Sequence, residues 1–517
     1  MERRWWALTA VCTATFMLLL DITIVNVALP SIETALRASF SQLQWVVDAY
    51  ALTLATLLLT MGSLADLFGR RRLFSIGLVL FTLASLACGL ANTPETLIGA
   101  RAAQGVGGAI MFATSLAILA HTFRGKDRAT AFGLWGATTG LAVAIGPLVG
   151  GYLTEGLGWE WIFYLNIPVG IAAFFLTLRF VDESSNPDAR RIDWAGVVTF
   201  SASLFLLIYA LIEGNNRGWG DARIVSMLIG SAILIVAFVV AERVQGDNAM
   251  FDLALFRNHS FVGAGVVAVT LSGGMFAMFL YLVLFLQQEL GLSPAEAGLR
   301  FLPVSLLSFV AAAISGRLTE RVPVRLLMTV GLALTSSGLA LMYGIEVGDT
   351  WTRLLPGFVL CGIGIGMVNP ALASTAIGVV HPARSGVASG MNNTFRQIGI
   401  ATGIAGLGAV FQDRVGQTFI ERTSTTDGLA KSSHELAHRV THGDTAGAVK
   451  SVAGPMKRMV EQSAHVSFVS GFNSALLVAA SITAFGAVTC FVLVRQKDFF
   501  QHGAPQQADT EQPASVA

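Results

Sequence analysis

The chain is a succession of long apolar runs separated by short polar connections. A hydrocarbon core about 30 Å thick takes about 20 consecutive apolar residues to cross as a helix. Six runs of that kind precede residue 182, ending near 29, 64, 92, 121, 153 and 180. Two more lie near 194–212 and 224–242, and five begin near 261, 295, 325, 353 and 386. A polar stretch over 412–466 separates these from a last run near 467–494, so the pattern predicts fourteen helices.

Composition turns the pattern into a class. Of 517 residues, 54% are hydrophobic before the 54 glycines are counted, and only 13% are charged. Soluble domains carry about 25% charged residues, and their surfaces must be largely polar. The chain is therefore expected to be an all-α polytopic membrane protein. Lys and Arg together number 33 against 32 Asp and Glu, a balance that leaves no basic excess for nucleic acid. The four cysteines (Cys12, Cys88, Cys361, Cys490) lie in apolar runs with no CxxC pair, which predicts neither a disulfide framework nor a zinc site. Met1-Glu2-Arg3-Arg4 has the look of a signal-peptide start, but the apolar run continues without a cleavage site and reads as an uncleaved first span.

Charge gives orientation. Arg70-Arg71-Arg72, Arg124/Lys126/Arg128, Arg190/Arg191 and Arg317/Arg321/Arg325 fall in every second short connection, while those near 92–95 and 154–160 carry no Lys or Arg. The positive-inside rule then puts both termini in the cytoplasm. Tryptophans 5, 6, 45, 159, 161, 194, 219 and 351 sit near span ends, as an interfacial belt requires.

An internal repeat adds architecture. Gly62-x-Leu64-x-Asp66, with Arg71 and Leu73 beyond, recurs at a nearly constant spacing as Gly316-x-Leu318-x-Glu320, with Arg325 and Leu327. Arg101-x-x-x-Gly105 and Arg353-x-x-x-Gly357 pair likewise, as do Arg128 and Arg384. Spans 1–6 would thus repeat as spans 9–14 in the same orientation, with 7–8 inserted. Parallel repeats imply a two-fold axis along the membrane normal and a substrate site between the halves.

The loop between spans 2 and 3 is Gly62-Ser-Leu-Ala-Asp66-Leu-Phe-Gly69-Arg70-Arg71-Arg72. Its glycines permit a tight turn, and Asp66 near a helix end can pair with an arginine or cap a neighbouring helix. Span 5 carries Gly136, Gly140, Gly146, Pro147, Gly150 and Gly151. Such small-residue stretches allow close helix approach, and Pro147 favours a kink.

These residues resemble the major facilitator superfamily. The span 2–3 loop is similar to its GxLaDrxGrk signature, here carried by Gly62, Asp66, Gly69, Arg70 and Arg71 as a cytoplasmic gate. Leu20 through Pro30 resembles the first-span signature of its 14-helix drug:proton antiporters. Leu97-x-x-x-Arg101-x-x-Gln104-Gly105-x-Gly107-Gly108 is similar to the span-4 RxxqGxG motif, and Gly146-Pro147-Leu-Val-Gly150-Gly151 to the span-5 antiporter motif. The resemblance implies two six-helix bundles plus two inserted central helices. The first bundle covers 1–182, the inserted pair 183–250, and the second bundle 251–497 with an extracytoplasmic loop at 412–466. The tail 498–517, rich in Gln, Pro and Ala, reads as disordered and cytoplasmic.

Charges within spans point to mechanism, because a charged side chain at mid-bilayer costs about 2.5–3.5 kcal/mol on insertion scales. Helix rise puts Asp21 about 13 Å, and Asp48 and Arg101 about 9 Å, below the outer boundary. The three are expected to lie within a turn or two of one another as the proton-coupling group. A guanidinium nearby favours an ionised carboxylate and desolvation favours a protonated one; a static ion pair is the alternative. The resemblance associates the span-1 aspartate and span-4 arginine with coupling. Asn26, Gln104, Asn369, Asn392, Asn393 and Arg396 are candidates for lining the cavity, with packing as the alternative for those of the second half. Glu213 and Glu289, at outer span ends, are expected to be solvated. His434, His438 and His442 recur at i, i+4, i+8, but a solvated amphipathic helix accounts for them better than a metal site.

The expected function is a proton-coupled antiporter exporting hydrophobic small molecules, cations among the candidates, by alternating access; a dedicated exporter of one natural product, lipid or siderophore is the alternative. No Walker-type loop and no catalytic constellation appears, so neither an enzyme nor a cofactor is expected. Partners would be substrates, protons and the bilayer, around a monomer in the inner or plasma membrane.

Overall fold

The computed structural model describes residues 2–38, 40–185, 193–246, 253–319, 321–381, 385–424, 429, 432–441, 445–452, 454 and 456–499. Arg190, Arg191, Glu320, Arg384, His442 and the tail beyond residue 499 therefore lie outside the described residues. The helices of the first part are α1 (Arg3–Leu36), α2 (Phe40–Phe68), α3 (Arg70–Gly89), α4 (Pro94–Thr122), α5 (Gly125–Gly156), α6 (Trp161–Tyr164) and α7 (Asn166–Phe180). Next come α8 (Trp194–Arg217) and α9 (Ala222–Gln245). The remainder are α10 (His259–Leu271), α11 (Ala277–Leu284), α12 (Pro294–Leu318), α13 (Val324–Leu341), α14 (Leu355–Gly378), α15 (Ser385–Thr423), α16 (Ser433–Thr441), α17 (Thr445–Lys450) and α18 (Met456–Leu493).

Helices suit a bilayer because every backbone polar group is satisfied within the element. Among the described residues, 12 segments are long and apolar enough to cross a membrane, with α6–α7 forming one and His259–Glu289 another. The fourteen expected spans included two more, at α5 and α15. Those helices have 32 and 39 residues, ample length to cross. Apolar stripes on the outside mark the lipid-facing surface. Ile229, Ile233, Val236, Val240 and Val244 of α9 are exposed at helical spacing, as are Ile76, Val79, Leu83 and Leu86 of α3.

Helices α1–α7 pack among themselves, as do α10–α18, and α8–α9 form a pair that rests on α2 and α15. The two groups meet along α5 with α12 and α14, and along α15 with α2 and α4. The apolar core of the first group reaches across to Ala373, Ile377, Val387, Ala388 and Met391 of α14 and α15. The groups are therefore closed against each other at the end that carries Asp66.

The stretch 412–466, expected to connect two spans outside the membrane, is mostly helical among the described residues. Helix α15 runs unbroken to Thr423, α18 starts at Met456, and α16 and α17 pack between them. Leu429, Leu436, Ala437, Val440 and Val460 are buried there, so a minority of apolar side chains at helical spacing folds a segment whose composition is polar.

Candidate functional site

Asp21 lies midway along α1, and its carboxylate is enclosed. Arg101 Nη1 on α4 donates to Oδ2 at 2.5 Å, while Gln104 Nε2 and Asn166 Nδ2 each donate to Oδ1 at 2.8 Å. Gln104, one helical turn from Arg101, also accepts from Arg101 Nη1 at 2.6 Å and donates to Ser85 Oγ on α3 at 2.7 Å. Arg101 Nε donates to the Val46 carbonyl on α2 at 3.0 Å, and the guanidinium stacks on the Tyr50 ring at 4.3 Å. Asp21 and Arg101 are each 1% exposed. A buried ion pair offsets its desolvation only with good geometry and its remaining hydrogen bonds made. Here both carboxylate oxygens are occupied, by groups from α4 and α7.

A second polar device joins the two helical groups. Asp66, at the last turn of α2, holds Arg70 with Nη2 at 2.8 Å and Nε at 2.9 Å from Oδ1, both side chains being buried. Its other oxygen accepts the backbone N–H of Val387 at 3.0 Å. Val387 belongs to the first turn of α15, where unpaired N–H groups and the helix dipole favour an anion. Gly62 is buried within α2 and makes no turn. Gly69 alone supplies the turn, with φ +103, and a Cβ there would strike the Glu183 carboxylate. Glu183 caps α3, accepting from the N–H groups of Arg71 at 3.0 Å and Arg72 at 3.1 Å. Arg71 also donates to the Val181 carbonyl at 3.3 Å.

The glycines of α5 serve two faces. Gly146 and Gly150 lie against Thr23 and Ile24 of α1, within their own helical group, so these two motif residues do not face the other half. Gly133, Gly140 and Gly151 face α12 instead, at Gly316, Ser308 and Ala295. At Gly133 and Gly316 the backbones themselves touch: a Cβ on Gly316 would lie 2.8 Å from Gly133 Cα. Pro147 lies within α5, with its side chain outside the described residues.

The model of the Major Facilitator Superfamily matches residues 11–404. The chain belongs to that superfamily. It is 36% identical over 476 residues to the multidrug resistance protein Stp of Mycobacterium tuberculosis, covering 91% of this chain and 88% of the relative. The tetracenomycin C resistance and export protein of Streptomyces glaucescens is 30% identical, covering 100% and 95% of the two chains. A probable actinorhodin transporter of Streptomyces coelicolor is 34% identical, covering 84% and 77%. The crystal structure of the human organic anion transporter MFSD10 (TETRAN) shares the fold at a TM-score of 0.61 and 13% identity, covering 95% of this chain and 100% of that one.

Within this major facilitator chain the other expected site residues separate. Asp48 does not join Asp21 and Arg101. It is half-buried on α2, makes no hydrogen bond or ion pair among the described residues, and the charge acting on it is Glu213 of α8. Gln104 belongs to the enclosed Asp21 cluster and lines no open cavity. Asn26 lies on α1, with its side chain outside the described residues. Glu213 and Glu289 are not free in solvent. Glu213 pairs with Arg217 at 2.6 Å, and Glu289, its side chain 8% exposed, meets His465 Nδ1 at 3.0 Å.

In the second group, Arg396 donates to Asn369 Oδ1, and Asn393 Nδ2 donates across the interface to the Phe112 carbonyl at 3.1 Å. Asn392 is buried on α15. Arg353, paired with Arg101 by the repeat, is exposed at the head of α14 and donates to the Leu341 and Tyr343 carbonyls. Among the described residues no group of His, Cys, Asp and Glu is placed to hold a metal ion. His434 is exposed, and the side chain of His438 lies outside the described residues. Sequence reasoning missed Asn166, Ser85 and Glu183. Asn166-Ile167-Pro168 at the start of a span was the one available signal.

Proposed function

We propose that this chain is a proton-coupled antiporter that exports hydrophobic small molecules by alternating access, as a multidrug efflux protein. The observation that carries this is the Asp21–Arg101 pair with its ring of amide donors, a charge pair enclosed in a segment that crosses the membrane. Moving α1 away from α4 would strand the carboxylate, and a stranded buried carboxylate is neutralised by a proton. Re-forming the pair would release it. One proton moving inward down 100 mV supplies about 2.3 kcal/mol, and that drives the halves through their cycle. Asp48 is a second proton site facing α8.

The family relationship supports transport, and the relatives' printed names support drugs and antibiotics as cargo. Those names span unrelated compounds, which favours a polyspecific exporter over one dedicated to a single product. In this reading α5 and α15 also cross the bilayer. That gives fourteen spans, as two bundles (1–182 and 251–497) with 183–250 inserted. The arginine-rich ends and both termini face the cytoplasm. Gly62, Asp66, Gly69, Arg70 and Arg71 form the cytoplasmic gate; Gly146, Pro147, Gly150 and Gly151 form the antiporter motif, in which Gly146 and Gly150 set the packing of α5 on α1. Asn369, Asn392, Asn393 and Arg396 line the cavity. The working unit is a monomer.

Everted membrane vesicles test the proposal. Adding hydrophobic drugs to energised vesicles should dissipate the proton gradient through the wild type, and Asp21→Asn should abolish the response. No response to any compound, with ion conductance instead, would sink it.

A further inference from the structure

Arg396, like Arg101, is buried among these helices, and its situation is opposite to that of Arg101. It is 8% exposed, and no carboxylate forms an ion pair with it among the described residues. Its side chain meets Asn369, and its Nε has no hydrogen-bond partner. A buried guanidinium without an anion is rare, because its desolvation is not offset.

The surroundings repeat that imbalance. Phe112 of α4, Trp135 of α5, Ser308 of α12, Asn369 of α14 and Arg396 of α15 each lie about 14–17 Å from the Asp66-side end of their helix, at ~1.5 Å per residue. That is mid-depth for a hydrocarbon core of about 30 Å. Packing ties the layer together across both helical groups. Trp135 stacks on Phe112 at 6.0 Å, and a Cβ on Gly136 would lie 3.4 Å from Asn369 Cβ. A Cβ on Gly140 would lie 3.0 Å from Ser308 Oγ, and Asn393 holds the Phe112 carbonyl. Yet Trp135 Nε1, Asn369 Nδ2, Arg396 Nε, Ser308 Oγ and Asn393 Oδ1 are all buried without partners. Buried polar atoms are nearly always paired, so a cluster of orphans asks for a ligand. Three are N–H donors, one a hydroxyl and one an acceptor. The surplus is of donors and of positive charge.

We propose that this layer binds an anionic, acceptor-rich group of the exported molecule, a carboxylate or an ionised phenol on a hydrophobic scaffold. The proposal rests on the exporter function given above and names its cargo class. Arg396 and Asn369 hold the anion, Trp135 and Phe112 supply the flat apolar wall, and Asn393 Oδ1 accepts from a ligand hydroxyl. Because α4 and α5 stand on one side and α12, α14 and α15 on the other, relative motion of the groups would open and close the layer around its ligand.

The test compares two dyes with one ring system, anionic fluorescein and cationic rhodamine 6G, binding to the purified full-length protein in detergent by fluorescence anisotropy. The wild type should bind fluorescein. R396Q should weaken fluorescein at least about tenfold more than rhodamine 6G, whereas R396K, which keeps the charge, should stay within about threefold, as expected for a charge-assisted hydrogen bond. Trp135→Phe keeps an aromatic ring and removes one donor, and should weaken fluorescein about threefold; it serves if R396Q does not elute as a folded monodisperse protein. Failure of the wild type to bind fluorescein, or an equal effect of R396Q on both dyes, would overturn the proposal. Arg396-dependent fluorescein binding without proton exchange in vesicles supports the anion site and counts against the antiporter function instead.

Discussion

The carboxylate of Asp21 and the guanidinium of Arg101 meet at 2.5 Å with both side chains excluded from solvent, although 80 residues separate them. Removing one member of such a pair strands the other, at about 3–5 kcal/mol. Arg101→Gln should therefore lower the melting temperature in detergent more than the double variant with Asp21→Asn, which leaves no lone charge. Neither variant should couple proton movement to a drug. Equal destabilisation by the single and double variants would show that the pair contributes no interaction of its own.

Asn166→Leu tests whether the amide ring around Asp21 matters beyond the salt bridge. The substitution removes a 2.8 Å hydrogen bond to Oδ1 and leaves Arg101 in place. Proton-driven exchange in vesicles should then shift in pH dependence while protein abundance is retained. An unchanged pH profile would make Asn166 a packing residue.

The first of these clusters was half legible in the sequence. Two opposite charges in apolar runs announce themselves, because nothing else tolerates them there. Ser85 and Asn166 are uncharged and look like any other polar residue in a span. Asp48 shows the limit of reasoning from depth. Its depth matched Arg101, but Val46 and Tyr50, two residues either side, are the positions that face Arg101. At ~100° per residue, two steps turn the side chain about 200° away. Depth is read from sequence, whereas azimuth depends on which helices are neighbours.

Asp66→Ala should loosen the closed end of the molecule. It removes the link to the Val387 N–H and the anchor of Arg70, and a charged group on a backbone donor contributes about 1.5–3 kcal/mol. Cysteines placed at the nearby ends of α2 and α15 should become more reactive towards a water-soluble maleimide. Asp66→Asn, which keeps an acceptor but not the charge, should fall between the two.

Glu183→Ala should destabilise the start of α3 by about 1 kcal/mol, as for loss of a helix N-cap. Hydrogen exchange at Arg71 and Arg72, whose N–H groups Glu183 holds, should quicken selectively. Protection unchanged at these two amides would mean that the cap is dispensable.

Gly146→Ala should be poorly tolerated, because the new methyl would overlap Thr23 of α1, and overpacking costs about 1–3 kcal/mol. Thr23→Ala should restore part of the lost melting temperature by removing the hydroxyl that is struck. Restoration absent in the double variant would place the strain elsewhere.

The contact of Gly133 with Gly316 has a mechanical meaning. Where helices mesh by side chains, the meshed teeth resist rotation until they disengage. Here two bare backbones press together with nothing between them. Such a point behaves as a plain bearing: α5 and α12 can swivel there with little to unlock, so the large excursions fall at the far ends of the helices while this pair stays nearly still.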